Sequence, residues 1–147
     1  MSAKTIIAAM SGGVDSSVAA GLLVEAGHQV IGATLAMRPC AENDDEVSWC
    51  CGKMAEHEAA QVASRLGIAH YVIDVAQDFE TRVLRRAWNE YAAGRTPSPC
   101  LVCNEHIKFG RLLALAGELG AEAVATGHYA RLAPADERGP VLRRGLD

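Results

Sequence analysis

The sequence lacks any apolar run near the roughly 20 residues that a membrane-spanning helix needs. Its start, MSAKTIIAAMSGG, has one lysine and a short apolar stretch that runs into a charged helix start. That pattern reads as a first core strand rather than a signal peptide, so the expected compartment is the cytoplasm. There is no internal repeat and no low-complexity tract. The 147 residues amount to about one domain, long enough for a sizeable core. There is no excess of positive charge: the formal net charge is −4, which does not advertise a nucleic-acid binder. The exception is local. Arg82, Arg85, Arg86, Arg95, Lys108 and Arg111 fall in one stretch opposed only by Glu90 and Glu105. Such a cluster is either a solvated face or a phosphate-contacting patch, with Arg82, Arg85, Arg86 and Arg95 as candidates for contacting RNA. The five cysteines (Cys40, Cys50, Cys51, Cys100 and Cys103) are an odd number without a secretory leader, which argues against a disulfide framework. Reduced thiols, a metal or cluster site, or sulfur chemistry remain.

Strand and helix patterns alternate along the chain. Thr5–Met10 is a short apolar run ending in Ser-Gly-Gly, a buried strand. Val14, Val18, Leu22 and Ala26 have helical spacing, and Gly27 is a stop. Gln29–Leu35 reads as a second strand, and Arg38–Gly52 as a loop. Ala55, Ala59, Val62 and Leu66 predict a helix closed by Gly67, followed by a strand over His70–Val75. Phe79, Val83, Ala87 and Tyr91 mark a helix ending at Gly94. Arg95–Cys103 holds two prolines and is read as irregular. Asn104 is the expected N-cap of a helix through Leu119, with Gly120 as its stop. Ala123–Thr126 is a fourth core strand, and Tyr129–Leu132 and Val141–Arg143 pair across a turn near Pro134–Gly139. The fold class is α/β: an open, mostly parallel sheet with helices on both faces, Rossmann-like. Ligands of such sheets bind beyond the carboxyl ends of the strands. Ser11–Ser17, Leu35–Met37 and Gly127–His128 should meet there.

The first strand leads into Ser11-Gly12-Gly13-Val14-Asp15-Ser16-Ser17. Two glycines allow a sharp turn and a close approach of backbone N–H groups to a ligand. The helix start adds orphan donors and a positive dipole end, and the serines add hydroxyls. This is an anion cradle suited to pyrophosphate. The lysine of a P-loop is missing, and so is the Gly-x-Gly-x-x-Gly fingerprint. Asp15 sits where a bare phosphate would be repelled, which makes sense if Mg²⁺ lies between them. The blander reading is a tight turn with a helix-start acid.

The second chemical segment is Gly94–Asn104, GRTPSPCLVCN, followed by Ile107-Lys108-Phe109-Gly110. Cys103 directly precedes the expected N-cap, where the helix dipole, Lys108 and Arg95 would favour a thiolate. A thiolate can attack sulfane sulfur, carry a persulfide or bind a soft metal. A pair of small buried hydrophobes is the alternative. Zinc is a weaker reading, drawing on Cys40, Cys50, Cys51, Cys100 and Cys103 with His57, His106 or His128. His128, after Gly127, reads equally as a phosphate or base contact and as a structural histidine.

SGGVDSS after a first strand resembles the PP-loop of the ATP pyrophosphatase superfamily. The resemblance implies an adenine nucleotide alpha hydrolase-like fold and cleavage of ATP between its α- and β-phosphates, with AMP passed to a substrate oxygen. It implies contacts to ATP from Ala9, Met10, Ser11, Gly12, Gly13, Val14, Asp15 and Ser16, with Leu35 bordering adenine and Gly127 approaching the nucleotide. GRTPSPCLVCNEHIKFG and ATGHYAR, with VIGATL and RRGLD, are similar to the tRNA-uridine 2-sulfurtransferases. That similarity covers nearly the whole chain. It implies 2-thiolation of the wobble uridine of tRNA, with Cys103 working on the sulfur, Lys108 in the neighbouring catalytic segment and a persulfide-carrying donor protein as partner.

Two departures qualify the resemblance. Many members have Asp at the position of Cys100, whereas related enzymes hold an iron–sulfur cluster with three cysteines. A [4Fe-4S] cluster involving Cys100 and Cys103 is thus a further candidate cofactor beside ATP and Mg²⁺. Family members also continue well past Asp147. Residues 1–147 are accordingly expected to be an incomplete ATP-binding catalytic domain, monomeric, needing the family's further domains or a partner for full activity. The alternatives are another adenylating synthetase or amidotransferase of the PP-loop group, and a non-catalytic metal or sulfur-carrier module.

Overall fold

The computed structural model describes residues 2–37, 53–136 and 139–146. Four parallel strands form the central sheet: β1 (Thr5–Ala9), β2 (Gln29–Ala36), β3 (Ala69–Asp74) and β4 (Ala123–Ala125), in the order β3-β2-β1-β4. Ile7 pairs with Ile31 and Val124, and Ala33 pairs with Tyr71. A hairpin follows, with β5 (Ala130–Asp136) antiparallel to β6 (Gly139–Arg144) and Leu132 opposite Leu142. The α/β class and the predicted hairpin are both observed. The predicted loop at Arg38–Gly52, with Cys40, Cys50 and Cys51, lies outside the described residues.

Alternation along the strands sorts their side chains onto two faces. Ala8, Met10 and Val30 pack with Ala20 of α1 (Val14–Glu25) and with Ala59 and Ala63 of α2 (Lys53–Leu66). Alanines on both helices let them lie close to the sheet. Ile7, Ala33, Leu35 and Met37 face the other way, against Val83, Cys103, Ile107, Leu112 and Ala116. Those residues come from two longer helices, α3 at residues 76–92 and α4 at residues 99–118. Each contains a π-helical stretch, Glu80–Leu84 in α3 and Cys103–Phe109 in α4. In α4 the buried residues fall at 103, 107, 112 and 116. The wider π turn absorbs the extra residue between Ile107 and Leu112, keeping one face toward the sheet.

Two boundaries differ from expectation. The third helix starts at Ala76, whose N–H donates to the Asp74 carboxylate at 2.9 Å and so gains a partner before the helix proper. The helix expected from Asn104 starts at Pro99, with Ser98 at the N-cap position. Pro at the first helical position loses no bond, because that N–H has no intrahelical acceptor. Only Pro97 is outside the helix, and Asn104 lies inside it.

Candidate functional site

The order β3-β2-β1-β4 places the topological switch between β1 and β4, since the chain leaves β1 toward one side and later returns to the other. The loops after these two strands carry SGGVDSS and GHY. Gly12 has φ +79°, and a Cβ there would stand 2.7 Å from the Ala55 carbonyl oxygen of α2. Backbone conformation and lack of space therefore both require glycine at this turn. Gly127 is confined differently: its Cβ would stand 2.8 Å from the Ser16 nitrogen and 3.0 Å from the Asp15 carbonyl carbon. The loop after β4 thus lies directly on the first turn of α1. The predicted meeting of Ser11–Ser17 with Gly127 is observed.

The loop is braced internally. The Ser11 N–H donates to Ser16 Oγ at 3.2 Å, and the Gly13 N–H to Ser11 Oγ at 3.4 Å. The Ser16 and Ser17 hydroxyls both donate to the Gly13 carbonyl, at 3.0 and 2.8 Å. Ser16 is buried, while Ser11, Gly13, Val14 and Asp15 are exposed. No side chain caps α1, whose N-cap position is Gly13. The N–H groups of the first turn thus have no acceptor within the helix, and they point the way an anion would approach. Asp15 accepts a hydrogen bond from the Tyr129 hydroxyl at 3.3 Å. In the sequence Tyr129 stands within ATGHYAR, at the start of the expected strand Tyr129–Leu132. Its pairing with a loop more than a hundred residues earlier has no local signal.

Ala9 closes β1, and Met10 is buried beyond it. The Leu35 side chain is buried in the same cluster as Met37 and Cys103. The cysteine segment joins the edge of the cradle through the Phe109 ring, 5.6 Å from the His128 ring. His128 is in turn held near Thr126, with Nδ1 and Thr126 Oγ1 2.9 Å apart.

The environment of Cys103 corrects the dipole argument. Because α4 starts at Pro99, Cys103 lies in its second turn rather than at its N-terminus. Cys100 instead is the cysteine of the first turn. Cys103 is 8 % exposed, with Sγ 4.0 Å from Met37 Sδ, whereas Cys100 is exposed. Lys108 is half-buried on the same helix. Arg95 is engaged elsewhere: its guanidinium binds both carboxylate oxygens of Glu90, at 2.5 and 3.2 Å. That contact holds the Glu90 carboxyl below, and the Arg95 guanidinium above, their ordinary ranges. Arg82 pairs with Asp78 at 3.9 Å and Arg85 with Glu80 at 3.4 Å, while Arg111 also binds Asp78. Asp78 and Glu80 lie just before the basic stretch in sequence, so counting within the stretch misses them. Arg86 lines a groove of about 410 Å³ with Glu90, Thr96, Ser98 and Glu105. Among the described residues no three His, Cys, Asp or Glu side chains gather to hold a metal. No helix among them is long and apolar enough to cross a membrane.

Known proteins are similar to this chain in sequence and in fold. The tRNA-specific 2-thiouridylase MnmA of Acidiphilium cryptum is 52 % identical over 142 residues, covering 97 % of this chain and 41 % of that protein. Its namesake in Thermus thermophilus is 46 % identical over 151 residues, covering 98 % and 40 %. The chain therefore spans about two fifths of the length of these curated relatives. In fold it is similar to an NMN synthetase of Francisella tularensis (TM-score 0.53, 21 % identity, 82 % of this chain and 43 % of that one). It is also similar to a predicted tRNA methyltransferase subunit of Methanocaldococcus jannaschii (TM-score 0.55, 21 % identity, 92 % and 55 %). The family profile described as "tRNA methyl transferase HUP domain" matches residues 4–147, and the chain belongs to that family.

Proposed function

We propose that this chain is the ATP-binding, adenylating part of an enzyme that replaces the carbon-2 oxygen of a tRNA uridine with sulfur. The observation that carries this reading is a lysine-free cradle built from backbone, braced by Ser11 and Ser16 and backed by Gly127, with a carboxylate at its mouth. A lysine in a P-loop reaches the β- and γ-phosphates. Without it, the backbone N–H groups and serines suit a pyrophosphate that leaves as one unit. The names of the 2-thiouridylase relatives support the choice of substrate.

In this reading the pyrophosphate rests on Ser11–Ser17, and the main chain at Ala9, Met10 and Gly127 flanks the nucleotide. Leu35, whose side chain is committed to the core, meets adenine through its backbone. Asp15 is exposed and close to the cradle, and no protein-built metal cage surrounds it among the described residues. These residues fit a Mg²⁺ that arrives on the nucleotide phosphates and is held by one carboxylate, the usual mode for this ion. When bound, it neutralises charge on the leaving pyrophosphate. The Tyr129 hydroxyl orients the Asp15 carboxylate toward that position. The uridine carbonyl oxygen attacks the α-phosphate and pyrophosphate leaves. Sulfur from a persulfide-carrying protein then attacks carbon-2 and AMP leaves. The Cys103 thiol then attacks the sulfur of the cysteine that delivered it, the S–S bond to the base-bound sulfur breaks to release the 2-thiouridine, and a thiol reductant later reduces the resulting disulfide to restore both cysteines. Lys108, on the same helix, adds positive charge beside this step. Arg82, Arg85, Arg86 and Arg95 contact tRNA phosphates, with Arg82, Arg85 and Arg95 exchanging their carboxylate partners for phosphate oxygens. Among the described residues Cys100 and Cys103 supply two thiols, and a [4Fe-4S] cluster would need at least one more.

The test is product identity and pyrophosphate exchange. Calorimetry in magnesium buffer should show ATP binding, and turnover should release AMP and pyrophosphate. Asp15→Ala should abolish ATP–pyrophosphate exchange with an unchanged melting temperature. Release of ADP, or normal exchange by the folded Asp15→Ala protein, would refute the reading.

A further inference from the structure

A three-strand relay of side chains sits directly behind the cradle. The ladder between β1 and β2 has its last pair at Ala9 and Ala33. Met10, the next residue, is still tied to β2 through both its N–H and its carbonyl. Its N–H donates to the Ala33 carbonyl at 2.8 Å. Its carbonyl accepts the Thr34 hydroxyl at 2.7 Å. A side chain thus holds the last carbonyl before Ser11, where the backbone turns away from the sheet. Thr34 is 4 % exposed and Met10 3 %, so this bond is shielded from water.

Thr34 has a second partner. His70, on edge strand β3, reaches across to it with Nε2 2.9 Å from Thr34 Oγ1. Since the single hydroxyl proton of Thr34 goes to Met10, His70 must be the donor, with its proton on Nε2. The ring has room because residue 32 is glycine: a Cβ there would stand 3.1 Å from His70 Cδ2 and 2.7 Å from Met10 Sδ. The chain Nε2–H to Oγ–H to carbonyl runs from β3 through β2 to the end of β1. Each bond polarises the next and fixes the rotor of the Thr34 hydroxyl.

We propose that His70 is a positioning residue for the anion cradle, acting through the Thr34 hydroxyl on the Met10 carbonyl. It touches no substrate. It sets the direction in which the chain leaves β1, and hence how the braced turn Ser11–Gly13 enters the first turn of α1 and presents its N–H groups. Its effect on nucleotide affinity rests on the reading of the cradle given above. Its effect on the loop does not.

The experiment therefore has two arms on the same proteins: wild type, Thr34→Val, Thr34→Ser, His70→Phe and His70→Gln. The first arm is amide hydrogen exchange of the Met10–Ser16 segment without nucleotide. Thr34→Val should raise exchange most, by about tenfold, and His70→Phe by about fivefold, the scale of one buried hydrogen bond. His70→Gln and Thr34→Ser keep a donor and a hydroxyl, so both should stay near wild type. The second arm is calorimetric ATP affinity, which should fall in the same order. Wild-type exchange in Thr34→Val and His70→Phe overturns the proposal, as does exchange in His70→Gln equal to that of His70→Phe. If only one of the two disruptive variants folds, it decides by the same criterion. Exchange that follows the expected order in a protein with no ATP affinity refutes the nucleotide reading and leaves the relay standing.

Discussion

At residues 11–17 the groups available to a ligand belong to the backbone, whereas in the helix at residues 99–118 they belong to side chains. The cradle is fixed because its own packing forbids alternatives: Gly12 against Ala55, Gly127 against Ser16, and serine hydroxyls on the Gly13 carbonyl. It needs no rearrangement to meet an anion. The cysteine helix has Cys103 on its buried face beside Met37, four residues before fully buried Ile107. The sulfur role proposed for Cys103 requires that a face now turned to the core become accessible. Cys103 opens the π-helical stretch, whose wider turn is a weaker hydrogen-bonding arrangement than the flanking α-helix. One site is preorganised and the other is stored.

The strongest attack on that contrast is a methyl group at the crossing of the two loops. Gly127→Ala should displace the first turn of α1 and lower pyrophosphate exchange about a hundredfold, the scale set by misplacing a binding group by about an ångström. Activity near wild type would mean the cradle is not rigid. Gly12→Ala adds a positive φ to a collision, and should cost about 1–3 kcal/mol of stability, read as a lowered urea midpoint. Next comes Cys103→Ser, studied with the remaining domains of a complete enzyme. ATP affinity should stay within about twofold while thiolated tRNA disappears, since the cradle is built without this helix. Loss of ATP binding would merge the two sites into one.

A smaller effect concerns pH. Burial pushes the His70 pKa below 6.5, and the Glu56 carboxylate opposes that shift only in part. A histidine with a lowered folded pKa binds fewer protons folded than unfolded. Its contribution is therefore complete above pH 6.5 and is lost as pH falls below that value toward and past the folded pKa. The urea midpoint of wild type should drop relative to His70→Gln over that window, and parallel profiles would contradict it. The smallest effect is expected at Arg82, whose ion pair with Asp78 is exposed and 3.9 Å long. Arg82→Ala should change stability by less than about 0.5 kcal/mol. Any tRNA contact by this arginine would show instead as a shallower salt dependence of binding.

Much of this is legible locally. Gly27, Gly67, Gly94 and Gly120 act as the expected stops because a helix ended by a positive-φ residue favours glycine, and all four have positive φ. Alternating strand and helix periods lead to the parallel sheet. The start of α4 is easily misread because Pro99 looks like a breaker. Its effect depends on whether it stands at the first helical position or inside. The burial of Cys103 is hidden for a related reason: the π turn shifts the buried positions by one residue, and simple helical spacing does not reveal it. The ion pairs of Arg82 and Arg111 with Asp78 lie across the boundary of the counted stretch.

By itself the sequence determined the fold class, the twin-glycine turn and its want of a lysine, because each depends on backbone stereochemistry within a few residues. Tertiary structure alone decided that Gly127 lies on Ser16, that Tyr129 holds Asp15, that His70 reaches Met10 through Thr34 and that Cys103 faces inward. These contacts join residues on different strands and loops. Their geometry follows from the strand order and from the register of the sheet, and no local pattern encodes either.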